Sequence, residues 1–437
     1  MARKTPKTES RALSSVTPLP ENEAEFLRVL RARALSSVEL HTSEPPDGLT
    51  QLELESQAAM SRPSIINLVK HFGPVLVEQR GEGVRAGRVA LDPGAGIAVG
   101  VEIGHDSVGV ATADLHGRML EPSAPRDYVR RAGGAIEEAD ATLDWIESAV
   151  ERRLIELDRR PDEVVGVGIS VAGPVDRSRG VLRTPHFRTS ADGGSDWELL
   201  GVRDHLRRRL GWAQVPFMLD NDANLSALAE FTWGAARAQE SRSYQNVIYL
   251  DWSHGLGAGL ILGGELYRGA GVAGEIGHAV IQSDGPRCAS CGNCGCLEVL
   301  TRWPALARDI PTAHDPASAI RLAQAGDPAA RQAFEAAADH VARALGPLIS
   351  VLNPDMVLIG GTVGQQGFQV VRTPLLRALK RYTMRPALQD VEVAAATLKG
   401  PTSLQGAIAL VLRTPSDEPD RLVRYLQRKA LRARHPA

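Results

Sequence analysis

All four cysteines of this chain, Cys288, Cys291, Cys294 and Cys296, fall in one short stretch, and His278 stands just upstream of them. Thiolate sulfur and imidazole nitrogen are ligands that zinc takes in a tetrahedron, and three cysteines with one histidine are a common structural set. The run Cys291-Gly292-Asn293-Cys294-Gly295-Cys296 adds glycines that let backbone fold closely around an ion. This spacing predicts one structural zinc per chain. The alternatives are an all-cysteine site without His278, or free thiols. A second polar constellation, Asp220-Asn221-Asp222-Ala223-Asn224, follows an apolar run at 215–219 that reads as a strand.

The elements that must position these groups can be read from the apolar pattern. Strands are predicted at 97–103, 107–114 and 164–171, with a turn at His116-Gly117 and a long helix over 135–157. A helix is expected at 225–231, a hairpin pair at 247–250 and 257–262, and helices at 317–325 and 328–349. A last strand, 356–359, ends in Gly360-Gly361. Strands alternating with helices imply α/β layers. Two hairpin-bearing halves imply two lobes with a cleft between them.

The first ninety or so residues have a different texture. Residues 1–20 are rich in Ser, Thr and Pro, and read as a disordered lead. Phe26, Leu27 and Leu30 predict a helix over 23–33, and a second helical pattern covers 50–59. Ser61 is expected to N-cap a third helix, with Pro63 in its first turn and Ile65, Ile66, Val69 and Phe72 on its apolar face. Strands at 75–78 and 88–93 around a Gly- and Arg-containing turn make a wing. The whole reads as a winged helix-turn-helix. Ser61, Arg62, Ser64, Asn67 and Lys70 would approach base edges, and Arg80, Arg85 and Arg88 would meet phosphates or a minor groove. Glu55 and Ala59 stand where such turns commonly carry Ala and Gly. At the other end, residues 421–437 hold six Arg or Lys and no acid, either as a helix carrying Leu422, Tyr425, Leu426 and Ala430 or as a solvated tail.

Composition sets the outer bounds. A chain of 437 residues is too long for one ordinary domain, and 43% hydrophobic residues suffice for real cores. No apolar run reaches the ~18 residues of a membrane span. The polar start lacks the apolar core of a signal peptide, so a cytoplasmic location with reduced thiols is expected. A net charge of -2 argues against coating nucleic acid over the whole surface, but leaves room for a local basic head.

Several of these segments together resemble one family. Val101-Glu102-Ile103-Gly104, Gly166-Val167-Gly168-Ile169-Ser170, Asp220 to Asn224, Gly274-Glu275-Ile276-Gly277-His278, the cysteine knot, Gly295-Cys296-Leu297-Glu298 and Leu358-Ile359-Gly360-Gly361 occur in the order of the ROK family of repressors, uncharacterised frames and sugar kinases. The resemblance spans residues 21–412. It implies an α/β, actin-like (ribonuclease H-like) two-lobed ROK domain preceded by an α+β winged helix-turn-helix. The winged head would occupy 21–93, lobe I 94–220 with a completing helix at 403–413, lobe II with the zinc site 221–402, and a basic tail 414–437. The family's cysteine pattern is one residue shorter than Cys288-Ala289-Ser290-Cys291. The implied ligands are His278, Cys288, Cys291 and Cys296, with Cys294 as the substitute for Cys288.

The resemblance also implies sugar contacts from Asn221, Asp222, Glu275, His278 and Glu298, groups suited to hydroxyls that both donate and accept. In the family's kinases Asp222 would be the base. Their phosphate loops read Asp-x-Gly-Gly-Thr-Lys and Gly-Thr-Gly, where this chain has Glu102-Ile103-Gly104-His105-Asp106-Ser107 and Ser253-His254-Gly255. Loss of ATP use is therefore expected, with Asp222 kept as a ligand residue. His186 replaces an Asn that helps hold the sugar, and 190–195 look inserted, so either the effector differs from glucose or sugar binding is lost. The expected protein is a sugar-responsive DNA-binding repressor that takes operator DNA as a homodimer or homotetramer and a sugar or sugar phosphate as effector. A protein partner is a further expectation of the resemblance, and no membrane is expected. The alternative is an ATP-dependent hexose or N-acetylhexosamine kinase with a regulatory head.

Overall fold

Val-, Ile- and Gly-rich runs, buried along nearly their whole length, build two five-stranded sheets of one plan. The computed structural model describes residues 21–36, 48–79, 87–105, 107–120, 128–130, 139–183, 201–237, 243–253, 255–413 and 421–434. The lead 1–20, Arg80, Arg85, Asp106, His186, the segment 190–195 and His254 lie outside them. The chain divides into two compact units. One holds Met1–Ala34, Pro46–Asp92 and Asp420–Ala437, and the other Leu35–Pro45 and Pro93–Pro419.

In the smaller unit, α1 (Glu21–Ser36), α2 (Gln51–Gln57) and α3 (Arg62–Phe72) pack with a sheet of β1 (Leu49–Thr50), β2 (Leu76–Gln79) and β3 (Arg88–Leu91), in the order β1-β3-β2. Phe26 and Phe72 stack with ring centroids 5.9 Å apart in a core that includes Leu54, Ile65 and Leu91. Thr50 and Glu53 cap α2 reciprocally, because each side chain takes the other's backbone N–H. Ser61 does sit at the N-cap of α3, but its hydroxyl lies 2.9 Å from that of Ser64 and makes no cap bond to backbone. Between α2 and α3 the turn forces Ala59 to φ 52°.

The larger unit begins with β4 (Ile97–Ile103), β5 (Ser107–Asp114), β6 (Tyr128–Arg130), α4 (Ala139–Glu156) and β7 (Val164–Val171). A short hairpin, β8 (Val175–Asp176) with β9 (Val181–Leu182), then leads to α5 (Val202–Arg209), β10 (Phe217–Asn221) and α6 (Asp222–Trp233). The first sheet runs β10-β7-β4-β5-β6, with β10, β7 and β4 parallel and the last two antiparallel. The second sheet uses β11 (Val247–Trp252), β12 (Leu256–Leu262), β13 (Glu265–Tyr267), β14 (Met356–Gly360) and β15 (Glu392–Ala395). Its order, β13-β12-β11-β14-β15, repeats the first sheet's chain order of third, second, first, fourth, fifth, with β11, β14 and β15 parallel. The plan is duplicated.

Helices α7 (Leu297–Thr301), α8 (Trp303–Asp309), α9 (Pro316–Ala325), α10 (Pro328–Leu352), α11 (Gly361–Tyr382) and α12 (Arg385–Asp390) build the second half's core. Then α13 (Thr402–Leu412) packs on β4, β7 and α6. Its approach is close. A Cβ on Gly168 would stand 1.9 Å from the Ala407 carbonyl oxygen, and one on Gly406 1.9 Å from that of Leu225. Buried Glu230 braces the same region by accepting N–H bonds from Ala235, Thr397 and Leu398.

The basic C-terminal segment is not a solvated tail where it is described. It forms α14 (Arg421–Arg434), whose Leu422, Val423, Leu426 and Ala430 are buried, and it packs against α3 and the turn after it. Gln427 donates to Glu23 of α1 at 2.9 Å.

A left-handed alanine costs about 1–2 kcal/mol that glycine avoids in part. Ala59→Gly should therefore stabilise the smaller unit by about 0.5–1 kcal/mol, read as a higher denaturant midpoint. A lower midpoint would show that the turn carries no such strain.

Candidate ligand cleft and metal centre

The carboxyl ends of the parallel strands converge on one cavity of about 440 Å³, lined among others by Glu102, Asn221, Asp222, Asp251, Glu275, His278 and Glu298. Strand ends are where open α/β sheets place their ligands. Glu102 is next to last in β4, Asp251 is near the end of β11, and Asp222 opens α6 directly after β10. The turn into α6 is set by Asp220. Its buried carboxylate accepts from Asn221 N at 2.9 Å, Asn224 Nδ2 at 3.0 Å and Arg268 Nε at 2.6 Å, with Arg177 at 3.6 Å.

Asn221 was expected to touch sugar; it lines the cavity, and its side chain is engaged within the protein. Its Oδ1 accepts from Ala223 N and Asn224 N, and its Nδ2 donates to Gly173 O and to Asp222 Oδ1. A side-chain amide has two donor hydrogens and two lone pairs, so all of Asn221's capacity is used. It caps α6 and aims Asp222. Asp222 Oδ1 also accepts from Ala223 N, which leaves Oδ2 as its oxygen for a ligand.

Burial pushes the Asp222 carboxyl up to about 6, against the hydrogen bonds from Ala223 and Asn221. Asp251 is raised to about 6 by burial and then by the charge of Asp222. Glu275 is raised to about 7 by burial, then by Asp222 and Glu298. Each carboxylate in this row discourages the next from ionising.

Asp251 is a site residue that sequence reading missed, and Ser253 was read only as a change in a phosphate loop. Ser253 Oγ donates to Asp251 Oδ1 at 2.8 Å and accepts from Thr362 N at 3.1 Å. The first turn of α11, a natural anion seat, thus has one of its N–H groups filled by a hydroxyl. Gly104 N donates to Ser107 O at 2.8 Å and Ser253 N to Gly255 O at 3.1 Å, so two more loop amides are turned inward. A serine in a glycine's place was the available signal, but its partner Thr362 lies 109 residues away along the chain.

On the other wall, His278, Cys288, Cys291 and Cys296 offer ligand atoms within 4.8 Å of one another, and the group could hold a metal ion. Cys294 is exposed and outside it. Cys288 Sγ is 3.8 Å from His278 Nδ1, and Cys291 Sγ is 3.3 Å from Cys296 Sγ. Those spacings are near the ~3.7 Å edge that ~2.3 Å metal–sulfur bonds give a tetrahedron. Burial and then the neighbouring Cys291 and Cys288 sulfurs push the Cys296 thiol up to about 12, a penalty that a bound cation would reverse. The donor set fits. The loop around it is stitched by Cys288 N to Asn293 O at 2.7 Å and Gly295 N to Pro286 O at 2.8 Å.

The histidine faces two ways. Nδ1 is on the sulfur side, whereas Nε2 is 4.0 Å from both Glu275 Oε2 and Glu298 Oε2 on the cavity side. Cys296 directly precedes α7, whose first turn carries Glu298. A metal here would fix both carboxylates through short stretches of chain.

In the smaller unit Ser61, Arg62, Asn67 and Lys70 are exposed on α3 and Ser64 is half-buried. Arg88, expected to meet phosphates or a minor groove, is half-buried and has partners within the unit. Its guanidinium donates to Gly48 O at 2.9 Å and lies 3.8 Å from Glu53, because β3 pairs with β1 beside the start of α2.

Comparison with known proteins follows these features. The sequence model described as ROK family matches residues 98–414. The chain is 27% identical over 296 residues to the xylose repressor of Bacillus subtilis, covering 65% of this chain and 69% of that one. It is 30% identical over 344 residues to a glucokinase of Streptomyces coelicolor, covering 72% of this chain and 97% of that one. Its structure matches the crystal structure of a ROK family transcriptional regulator, a homologue of the E. coli MLC protein, with a TM-score of 0.71 and 19% identity, covering 94% of this chain and 99% of that one.

The raised carboxyls make stability depend on pH. An unfolded aspartate titrates near ~3.9, so between about pH 4 and 6 the folded chain holds protons that the unfolded chain has released. Stability should fall as pH rises through that window. Asp222→Asn removes one group and relieves Asp251, so its Tm should vary less with pH than the parent's. An identical pH series by calorimetry counts against the coupling.

Proposed function

The chain belongs to the ROK family, and we propose that it works as a sugar-responsive transcriptional repressor whose kinase-like domain senses an unphosphorylated sugar. Its relatives include both repressors and glucokinases. The observation that carries the reading is Ser253, whose hydroxyl takes the Thr362 N–H and leans on Asp251, so that a hydroxyl and a carboxylate stand where a nucleotide phosphate would need amides and positive charge. The rest of the cavity suits hydroxyl recognition. Asp222, Glu275 and Glu298 accept, and His278 Nε2 completes the set.

The helix-turn-helix unit supplies the output. Arg62, Asn67 and Lys70 of α3 read operator DNA, and a dimer or higher oligomer spaces two heads over two half-sites. Sugar in the cleft favours one arrangement of the domain over another and thereby changes operator affinity. The metal is zinc, held by His278, Cys288, Cys291 and Cys296, and it supplies structure by locking the loops that carry Glu275 and Glu298.

A fluorescence titration of the chain's own upstream DNA tests this, with xylose and other free aldoses added. Sequence-dependent binding that weakens with one sugar is expected, and Asp222→Ala should keep the DNA affinity while losing at least tenfold of the sugar response. No sequence preference at moderate salt would end the repressor reading. Purified chain should hold one zinc, lost in Cys288→Ser but kept in Cys294→Ser; metal analysis giving the reverse would reassign the ligands.

A second reading, sugar kinase, is favoured by Asp222, raised to about 6 and therefore poised as a base. Its sign is sugar-dependent ADP release abolished by Asp222→Asn, and such turnover would displace the sensor reading.

A further inference from the structure

We propose that α14 is a second phosphate-binding element of the DNA-reading unit, an inference that rests on the repressor reading above. The chain passes through the whole larger unit and returns to place this helix against α3 and the turn that follows it. Leu422, Val423, Leu426 and Ala430 form the buried face. At about 100° per residue, Arg424, Arg428 and Arg432 fall on the opposite side as one stripe. Arg428 and Arg432 are exposed and Arg424 is half-buried.

A helix that served only as a strut would need the apolar face and nothing more. Its outer face would be stabilised by alternating charges at i,i+4. Here three arginines follow one another at i, i+4 and i+8, with no acid anywhere in the helix. Like charges at that spacing work against the helix, unless a polyanion neutralises them. The stripe belongs to the same compact unit as Arg62, Asn67 and Lys70. Duplex DNA is the polyanion that this unit already faces under the repressor reading. Phosphate contacts add affinity without reading sequence, and each neutralised phosphate steepens the salt dependence by about 0.9 in the log–log slope.

The test uses the full chain, its own upstream duplex and a scrambled duplex, with anisotropy titrations from about 50 to 200 mM salt. The Arg424→Gln, Arg428→Gln, Arg432→Gln triple variant should lose about 2–3 units of salt slope. It should weaken on both duplexes by the same factor, on the order of tenfold or more, with an unchanged sugar response. The corresponding triple Lys variant keeps the charge and should keep the slope. If the Gln variant retains the parent slope, or the Lys variant loses as much affinity as the Gln variant, α14 acts by packing and the proposal falls. A parent chain that binds no DNA sinks the repressor reading itself; a parent that reads its operator while the Gln variant keeps the slope sinks only the role of α14.

Discussion

The site depends first on the buried carboxylate of Asp220. An ion removed from water is costly unless its lone pairs are filled, and here Arg268, Asn224 and the Asn221 amide fill them, with Arg177 adding charge. Their common centre fixes the step from β10 into α6. Once that step is fixed, Asn221 can close on the first turn of the helix and Asp222 must look into the cavity. The direction of α6 then decides where α13 can lie, and the contact is so close that Gly168 and Gly406 have no room for a side chain. One ionised group thereby ties the ligand site to the packing of the domain.

What could be read from the sequence was what is local. Apolar runs mark β4, β7, β11 and β14 because strands buried on both faces need no polar alternation. The cluster that could hold a metal was legible because its members lie close together along the chain. Asn221 shows the limit of residue type, since an amide beside a carboxylate suits a sugar contact and a helix cap equally well, and only the positions of Gly173, Ala223 and Asn224 decide. Asp251 and the partners of Ser253 were hidden for another reason. Their meaning comes from the N-terminus of α11, brought beside β11 by the parallel pairing of β11 with β14. Arg88 looked free in a basic wing, and three-dimensional pairing of β3 with β1 gave it a carbonyl to hold.

The electrostatics of the cleft are unusual for a phosphate-handling site. Among the described lining residues, carboxylates come from both sheets' halves, and burial with mutual repulsion keeps several of them hard to ionise. Such a surface offers several carboxyl oxygens to hydroxyl donors. The sulfur cluster has the opposite need, a cation. His278 stands between the two, so its ring can offer one nitrogen to a metal and the other to the cavity.

This division has a thermodynamic consequence under the sensor reading. An effector can shift the domain only by the difference in its affinity for two arrangements, however tightly it binds either one. A site built within one half would give little difference. Here Glu102 comes from the first sheet, Asp222 from the helix that leads from β10 onto the second sheet, and Asp251, Glu275 and Glu298 from the second sheet's side. A sugar that hydrogen-bonds to both sides gains its full contact only when the halves stand at one separation. The Ser253 hydroxyl adds to this effect, because it takes the Thr362 N–H that an anion at the start of α11 would use. Binding energy that a kinase would direct to a transferring phosphoryl group is left to set the position of the two halves.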